Sequence, residues 1–551
     1  MLDQSLHKTQ GDSIPCGSRV AGRDARMNAA LSDSPQRADP TTGKSTLTYP
    51  RPTAVVVLAA GEGTRMRSAT PKPLHAIAGR TLLGHALAAA KDLDPRQIVV
   101  VVRHGREGVT GAARAIVPEV LIADQDEIPG TGRAVQCAIA ALDAASHADD
   151  AGPHPSAPGG DVVVIPADAP LVDGATLAQV RAAHVADANA VTLLTARVDD
   201  PVGYGRIVRD ATTGDVLRIV EERDATPAER AIDEVNASMY VFDLGVLRAG
   251  LAALGRGNAQ GEVYLTDVVA LARANGGRTR AILADDPYVV RGVNDRVQLA
   301  VLAREFNRRR LIEAMTEGVT VLDPATTWID VDVELSPDVT VLPGTIIHAG
   351  STVERDAVIG PDTTLVRTRV GAGAIVNRVH AVDAIIGPGA NVGPFTHLRP
   401  GTVLGERAKA GSFVELKAAD VGDGAKVPHL SYVGDAIVGE GANIGAATIV
   451  ANYDGVSKSK TVVGPHARIG SDTMLVAPVR VGAGAYTGAG SVIRHDVPPG
   501  ALAVSDVHQR TTEGWVAARR PGTDADIAAA AALTTEDSPA TECTHTEGLP
   551  S

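Results

Sequence analysis

From Val341 an aliphatic side chain returns at every sixth position, at Val341, Ile347, Val353, Ile359 and Leu365. The spacing resumes at Val463, Ile469, Leu475, Val481, Thr487 and Ile493, with Thr487 the one polar member. Glycine commonly follows the repeat's aliphatic residues, as in Ile359-Gly360, Val370-Gly371, Ile386-Gly387, Ile444-Gly445 and Ile469-Gly470. A six-residue period with a small aliphatic side chain filling an axis reads as a parallel β-helix of hexapeptide repeats. That architecture accounts for 57 glycines and for an aromatic content of only 3%. The period breaks over 451–462, so a loop should project there, and loops on so regular a scaffold commonly carry function.

The first half has another rhythm. Between Thr53 and Val297, β-branched runs (Ala54 to Leu58, Gln97 to Val102, Asp161 to Ile165) alternate with helical stretches rich in Ala and Leu (Thr81 to Ala90, Gly132 to Ala141). This alternation predicts βαβ units and a mostly parallel sheet, with sites at the carboxyl ends of the strands. The first strand empties into Leu58-Ala-Ala-Gly-Glu-Gly-Thr-Arg65, followed by Pro71-Lys-Pro73. Gly61 and Gly63 allow backbone N–H groups close to a ligand, Arg65 and Lys72 supply positive charge suited to a triphosphate, and the prolines stiffen the chain around the lysine. A tight turn with solvated arginines is the alternative.

At 551 residues, 44% of them hydrophobic, the chain has material for more than one core. The net charge of −13 argues against a nucleic-acid or anionic-membrane partner, because a phosphate polymer calls for a basic surface. Cys16, Cys137 and Cys543 are too dispersed for a disulfide framework or a metal cluster, which fits a reducing cytoplasm. No apolar run approaches a membrane span, and no export signal is evident. Composition divides the chain into a disordered extension (1–52), an α/β domain (53–296), a helical linker (297–317), the repeat domain (318–520) and a disordered tail (521–551). In the linker, Leu299, Leu302 and Phe306 have helical spacing, and Arg308-Arg-Arg310 reads as a solvated face. Gly43-Lys-Ser45 matches the end of a P-loop, but no strand precedes it and the match is taken as chance.

The loop after the first strand resembles the signature of sugar-1-phosphate nucleotidyltransferases. Further segments narrow it: Gln125 with Gly130-Thr-Gly132, Asp168-Ala-Pro-Leu171, Tyr204-Gly-Arg-Ile207, Ile219-Val-Glu-Glu222 with Asp224, Glu234-Val-Asn236, Gly261-Glu-Val-Tyr-Leu-Thr-Asp267 and Gly292-Val-Asn294. In that order they are similar to the uridyltransferase half of the bacterial, actinobacterial-like bifunctional N-acetylglucosamine-1-phosphate uridyltransferase / glucosamine-1-phosphate N-acetyltransferase family. The resemblance implies that Asp168 and Asn294 hold Mg²⁺, that Arg65 and Lys72 meet phosphates, that Gln125 and Gly130 contact uracil, and that Gly205, Glu221 and Asn236 bind the sugar. Leu58, Ala59, Ala60, Gly61 and Thr131 complete the nucleotide site on the same basis. The chemistry is compatible, since nucleotidyl transfer demands mainly electrostatic stabilisation. Taken singly, Asp168 could be a turn residue, Glu221 a solvated strand end and Asn294 a helix cap. Two departures are Arg133, where His is usual, and Ala167, where Gly is common.

In the repeat domain, Arg399, Lys417, and His429 with Tyr432 in Pro428-His-Leu-Ser-Tyr-Val-Gly434 are costly groups to place along a small-residue coil. They resemble the acetyltransferase half of the same family, so the likeness runs from about Thr53 to Arg520. It implies His429 as the proton acceptor, Arg399 and Lys417 on the sugar phosphate, Tyr432 and Asn443 on the sugar, and Ala446, Asn452, Tyr453, Ser471 and Ala489 on acetyl-CoA. A neutral histidine suits removal of an amine proton near neutral pH. Asp506 stands where many relatives have an Arg, and Ala447 where Gly is common. Trp515 could anchor the C-terminal segment by packing or form part of a neighbouring subunit's site, and packing is the expectation. The resemblance further implies a left-handed coil, a cytoplasmic homotrimer, and the substrates glucosamine-1-phosphate, acetyl-CoA, N-acetylglucosamine-1-phosphate and UTP. Two rivals stand beside this reading: a β-helix that only assembles or regulates, and a pyrophosphorylase for another sugar or nucleotide.

Overall fold

The computed structural model describes residues 49–148, 160–505, 509 and 511–536. The extension to residue 48 with Cys16 and Gly43-Lys-Ser45, the departure at Asp506, and the end of the chain from 537 with Cys543 lie outside the described residues.

The α/β half is built on a nine-stranded sheet whose main path runs Thr279–Leu283, Val191–Arg197, Glu234–Asp243, Asp161–Pro166, Ala54–Leu58, Gln97–Val102, Leu121–Asp124. Ala54–Leu58 lies at its centre, parallel to Gln97–Val102 on one side and Asp161–Pro166 on the other, while Glu234–Asp243 runs antiparallel to both its neighbours on that path. The central strands are apolar without alternation because both faces are covered. Val55 and Val57 join Leu83, Val109 and Leu177 in one core. Val56 joins Val135, Leu247 and Val268 in the other.

Helix Arg296–Thr316 links the halves, capped by Asp295, whose carboxylate accepts from Gln298 N at 2.8 Å. Its buried Leu302, with Leu299 and Phe306 alongside, packs on Met66, Ile77 and Leu171, whereas Leu311 and Ala314 belong to the repeat domain's core. One helix thus serves two cores. Buried Asn307 fixes the junction by donating to Thr327 O at 2.8 Å and accepting from Ile329 N at 3.0 Å. The three arginines expected on a solvated face are ion-paired: Arg308 with Glu305, Arg309 with Glu305 and Asp286, Arg310 with Glu313.

Beyond Gly318 the chain coils as a parallel β-helix of very short strands, its aliphatic axis continuous from Val321 to Val497. Residues 18 apart pair between coils, as in Thr340 with Val358 and Val341 with Ile359. Glycine is required where coils touch at corners: a Cβ on Gly445 would lie 2.5 Å from the Gly470 carbonyl carbon, and one on Gly470 would lie 2.6 Å from that of Gly488. Thr487 keeps its axial place because its hydroxyl accepts from Gly470 N at 2.9 Å. Four buried corner hydroxyls are likewise satisfied, those of Thr345, Thr402, Thr448 and Thr473, each donating at 2.7 Å to the carbonyl three residues earlier.

Across the predicted break the pairing interval lengthens to 25, as in Ile449 with Met474, and the surplus residues form a projecting loop with Val456 89% exposed. Two expectations near the C-terminus are corrected. The tail from 521, expected to lack structure, contains the helix Asp524–Glu536, because an Ala-rich run favours helix even where it packs on little. Trp515 is 46% exposed and lies beneath the Arg520 guanidinium, 5.5 Å from its ring centre, instead of anchoring the segment in a core.

Candidate active sites

The parallel strands Ala54–Leu58, Leu121–Asp124 and Asp161–Pro166 bring the loops that follow them to one end of the sheet. Leu58 pairs with Pro166, Ala59 N donates to Val101 O at 3.0 Å, and Ala167 N donates to Leu58 O at 3.0 Å. The loop beginning Ala59-Ala60 therefore emerges beside Ala167-Asp168, and Gln125 follows Leu121–Asp124, the strand beyond Gln97–Val102. The two glycines of the loop have different tasks. Gly63 is left-handed (φ 68°), and a Cβ there would lie 2.7 Å from Lys72 Cβ, so it seats the lysine stem. A Cβ on Gly61 would meet nothing within 4 Å, leaving space over the loop. Arg65 is exposed at its lip.

Lys72 Nζ pairs with Asp168 and donates to Asn294 Oδ1 at 3.1 Å. Asp168 and Asn294, the residues expected to hold a metal, thus both turn oxygens toward one cation. Val293 N to Asp168 O at 2.8 Å joins their two segments. The helix cap is Asp295, so the Asn294 side chain is not needed there. Two oxygens are a fitting protein contribution for Mg²⁺, which usually keeps waters and takes further oxygens from substrate phosphates.

Gly205, Glu221 and Asn236 converge: a Cβ on Gly205 would lie 3.6 Å from both Asn236 Cβ and Glu221 Oε1. Asn236 N donates to Gly205 O at 2.9 Å, and Asn236 Nδ2 donates to the Tyr240 hydroxyl at 2.7 Å. Burial pushes the Glu221 carboxyl above its usual range, opposed by a 3.2 Å hydrogen bond from Thr266 Oγ1. Glu221 is therefore no solvated strand end. Gln125 Nε2 donates to Ile128 O at 2.9 Å and Gly130 O at 3.2 Å, which shapes the Gly130 turn. Gly130 is obligatory, with φ 119° and a Cβ position 2.2 Å from Val263 O. Thr131 opens the following helix and accepts from Leu265 N at 3.3 Å. Arg133, the departure from His, binds Asp126 and donates to Gln136 Oε1 at 3.0 Å. Ala167 is buried, so its methyl occupies core volume.

The repeat domain carries its candidates on the outside of successive coils. Ala447 N donates to His429 O, Asp472 N to Ala446 O and Gly490 N to Ser471 O. His429, Ala446, Ser471 and Ala489 accordingly climb one corner, and the His429 ring is exposed. On the adjoining face Arg399 Nη1 meets Glu415 Oε1 at 2.9 Å, and Lys417 Nζ meets Asp435 Oδ2 at 2.9 Å. A Cβ on Gly434 would lie 2.4 Å from the Tyr432 hydroxyl and 2.9 Å from Asn452 Nδ2, so this glycine admits both. Asn443 bridges the backbones of Lys426 and Arg468 on the third side. Tyr453, in the projecting loop, is exposed and donates to Gly455 O at 2.6 Å. Contacts thus join Lys417 to Asn452 through Asp435, whereas His429 belongs to a separate column around the corner.

Sequence reasoning passed over Thr266, Tyr240, Tyr264, Glu415, Asp435 and Lys458. Tyr264 and Thr266 lie in a quoted motif and could have been taken from it. Tyr264 donates to Asp224 at 3.1 Å, and its hydroxyl is pushed up to about 12, mainly by burial. Asp435 follows Gly434 directly, but nothing in the spacing marked its carboxylate.

Residues 55–232 match the MobA-like NTP transferase domain family. The chain is 56% identical over 478 residues to "Bifunctional protein GlmU" of Kineococcus radiotolerans, covering 87% of this chain and 94% of that one. Proteins of the same name from Pseudarthrobacter chlorophenolicus and Mycolicibacterium gilvum are 54% and 55% identical, covering 89% and 87% of this chain and 97% and 94% of theirs.

Proposed function

The chain belongs to the bifunctional GlmU family, and from that premise we propose an enzyme with two active sites that makes UDP-N-acetylglucosamine. The β-helix half acetylates glucosamine-1-phosphate from acetyl-CoA. The α/β half then joins the N-acetylglucosamine-1-phosphate so formed to UTP. The observation that carries the second step is the meeting of Lys72, Asp168 and Asn294 at the strand ends.

In uridyl transfer a phosphate oxygen of the sugar phosphate attacks the α-phosphorus of UTP, and pyrophosphate leaves. Lys72 and Arg65 offset the charge that accumulates on the phosphates. Asp168 and Asn294 would hold Mg²⁺, which when bound neutralises phosphate charge. Gln125 and the Gly130 turn receive uracil, and ionised Glu221 with Asn236 accepts and donates hydrogen bonds to sugar hydroxyls beside Gly205.

In acetyl transfer the neutral amine attacks the thioester carbonyl, and the CoA thiolate leaves. His429 takes the amine proton. Arg399 and Lys417 grip the phosphate, Tyr432 and Asn443 orient the sugar, and Ala446, Asn452, Tyr453, Ser471 and Ala489 receive the acetyl donor. The open position of His429 suits a site completed by a second copy in a homotrimer. The exposed column Phe395, Phe413 and Leu430, its phenyl rings stacked at 5.1 Å, supports such a contact. No helix among the described residues is long and apolar enough to cross a membrane, and a cytoplasmic setting would supply all four substrates.

Asp168→Ala tests the assignment. It should abolish formation of UDP-N-acetylglucosamine from N-acetylglucosamine-1-phosphate and UTP while release of CoA from acetyl-CoA persists. Retained uridyl transfer would remove Asp168 from the site.

A further inference from the structure

One carboxylate touches residues assigned to both substrates of the acetyl site. Asp435 sits at a coil corner in left-handed backbone (φ 49°), between the strand face carrying Lys417 and the base of the projecting loop. Its two oxygens accept from Lys417 Nζ at 3.1 and 2.9 Å, and Oδ2 also accepts from Asn452 Nδ2. Lys458, from the loop itself, adds a further positive charge nearby. Burial works against ionisation of Asp435, but the hydrogen bonds from Lys417 and Asn452, helped by the charges of Lys417 and Lys458, hold its carboxyl below the usual range. The pair is largely enclosed, with the Lys417 side chain 19% and that of Asp435 17% exposed.

This arrangement constrains both partners. An ammonium has three N–H donors, and directing one of them between the two oxygens of Asp435 leaves the others for a ligand, in directions set by that bond. Asn452 follows the strand Ile449–Ala451 directly, at the base of the loop, so its bond to the same carboxylate fixes how the loop leaves the coil.

We propose that Asp435 is a positioning residue for acetyl transfer: a single carboxylate that aims the sugar-phosphate lysine and anchors the loop receiving acetyl-CoA, so that the two subsites are coupled through it. This rests on the roles given above to Lys417 and Asn452. It makes Asp435 neither base nor ligand contact, and the His429 ring is untouched by its removal.

The test uses the full chain with Asp435→Asn. The KM values for glucosamine-1-phosphate and for acetyl-CoA should both rise by about fivefold or more, the scale of coupling between groups that share one partner. The pH dependence of kcat should stay in place, and a thermal unfolding profile matching the parent's reports that the coil is folded. An unchanged KM for acetyl-CoA overturns the proposal. If the Asn variant does not fold, Lys417→Ala, Asn452→Ala and their double variant decide: acting through one carboxylate, their effects on the acetyl-CoA KM should combine to less than the product, and a full product is contrary to the proposal. The same series separates the two levels of inference. Lys417→Ala without effect on the sugar-phosphate KM would refute the site assignment itself, whereas a raised sugar-phosphate KM with strictly multiplicative acetyl-CoA effects would count against Asp435 alone.

Discussion

The two halves build a site in opposite ways. In the α/β half, residues far apart in the chain are gathered by loops at one end of a sheet, as when Lys72, Asp168 and Asn294 meet across more than 200 positions. In the β-helix, the candidate residues recur at nearly the coil interval and climb its outside, as do His429, Ala446, Ser471 and Ala489. The gathered site is walled by its own chain. The climbing one is exposed on a single chain, which is why a second copy enters the functional reading of that half alone. An assembled site tolerates long irregular loops, whereas a periodic one must insert its loop without losing coil register, as the lengthened Ile449 to Met474 interval does.

The largest expected effect separates the halves outright. His429→Ala should lower acetyl transfer by about 10²–10⁴-fold, the range for loss of a general base, and leave uridyl transfer unchanged. Measuring both rates in one preparation checks it, and loss of both would break the claim that the sites are independent.

Next come paired glycine substitutions that set a packing glycine against a site glycine. Gly470→Ala forces a methyl to within 2.6 Å of the next coil's backbone and should cost about 1–3 kcal/mol by chemical denaturation. Gly61→Ala meets no atom within 4 Å and should leave stability within about 0.5 kcal/mol while raising the KM for UTP. Equal stability losses would show that the first loop is as tightly packed as the coil.

Glu221→Gln sharpens the contrast through pH. The Glu221 carboxyl is raised by burial, so its ionisation penalises the fold: the penalty is absent below the ordinary carboxylate range, grows as pH rises, and is complete above the raised value. The Gln variant should therefore be as stable as the parent or more so at neutral pH, yet bind sugar phosphate more weakly. In the parent, the KM for sugar phosphate should rise as pH falls through that raised value, and this dependence should flatten in the variant. A variant less stable at neutral pH would contradict the assigned cause.

The last effect is on stability alone and concerns the axis. Thr487→Val keeps the shape but leaves Gly470 N without its 2.9 Å acceptor, which should cost about 1–3 kcal/mol in the coil and change neither KM. Thermal unfolding of the two proteins measures it.

These cases mark what was legible in the sequence. The coil was readable because each turn repeats one requirement, an aliphatic side chain at the axis and a glycine where backbones touch, so Val341 to Leu365 and Gly445 to Gly470 announce it without any tertiary knowledge. The strand Ala54–Leu58 and the loop after it were readable for a related reason: an unbroken apolar run needs cover on both faces and must end where polar residues begin. Thr487 looked like an exception because its partner, the Gly470 N–H, lies one coil below. Asp435 and Thr266 escaped because their importance lies in a neighbour brought by folding, Lys417 in one case and Glu221 in the other. The residual helix at Asp524–Glu536 escaped because composition describes poor packing well and local helix propensity less so.

The central claim is two working sites used in a fixed order, and mass spectrometry of the products from glucosamine-1-phosphate, acetyl-CoA, UTP and Mg²⁺, with and without acetyl-CoA, tests it most directly. Free CoA and UDP-N-acetylglucosamine should form when acetyl-CoA is present, and no nucleotide sugar when it is omitted. Absence of both products, with supplied N-acetylglucosamine-1-phosphate still joined to UTP, would contradict it and leave the β-helix as a scaffold.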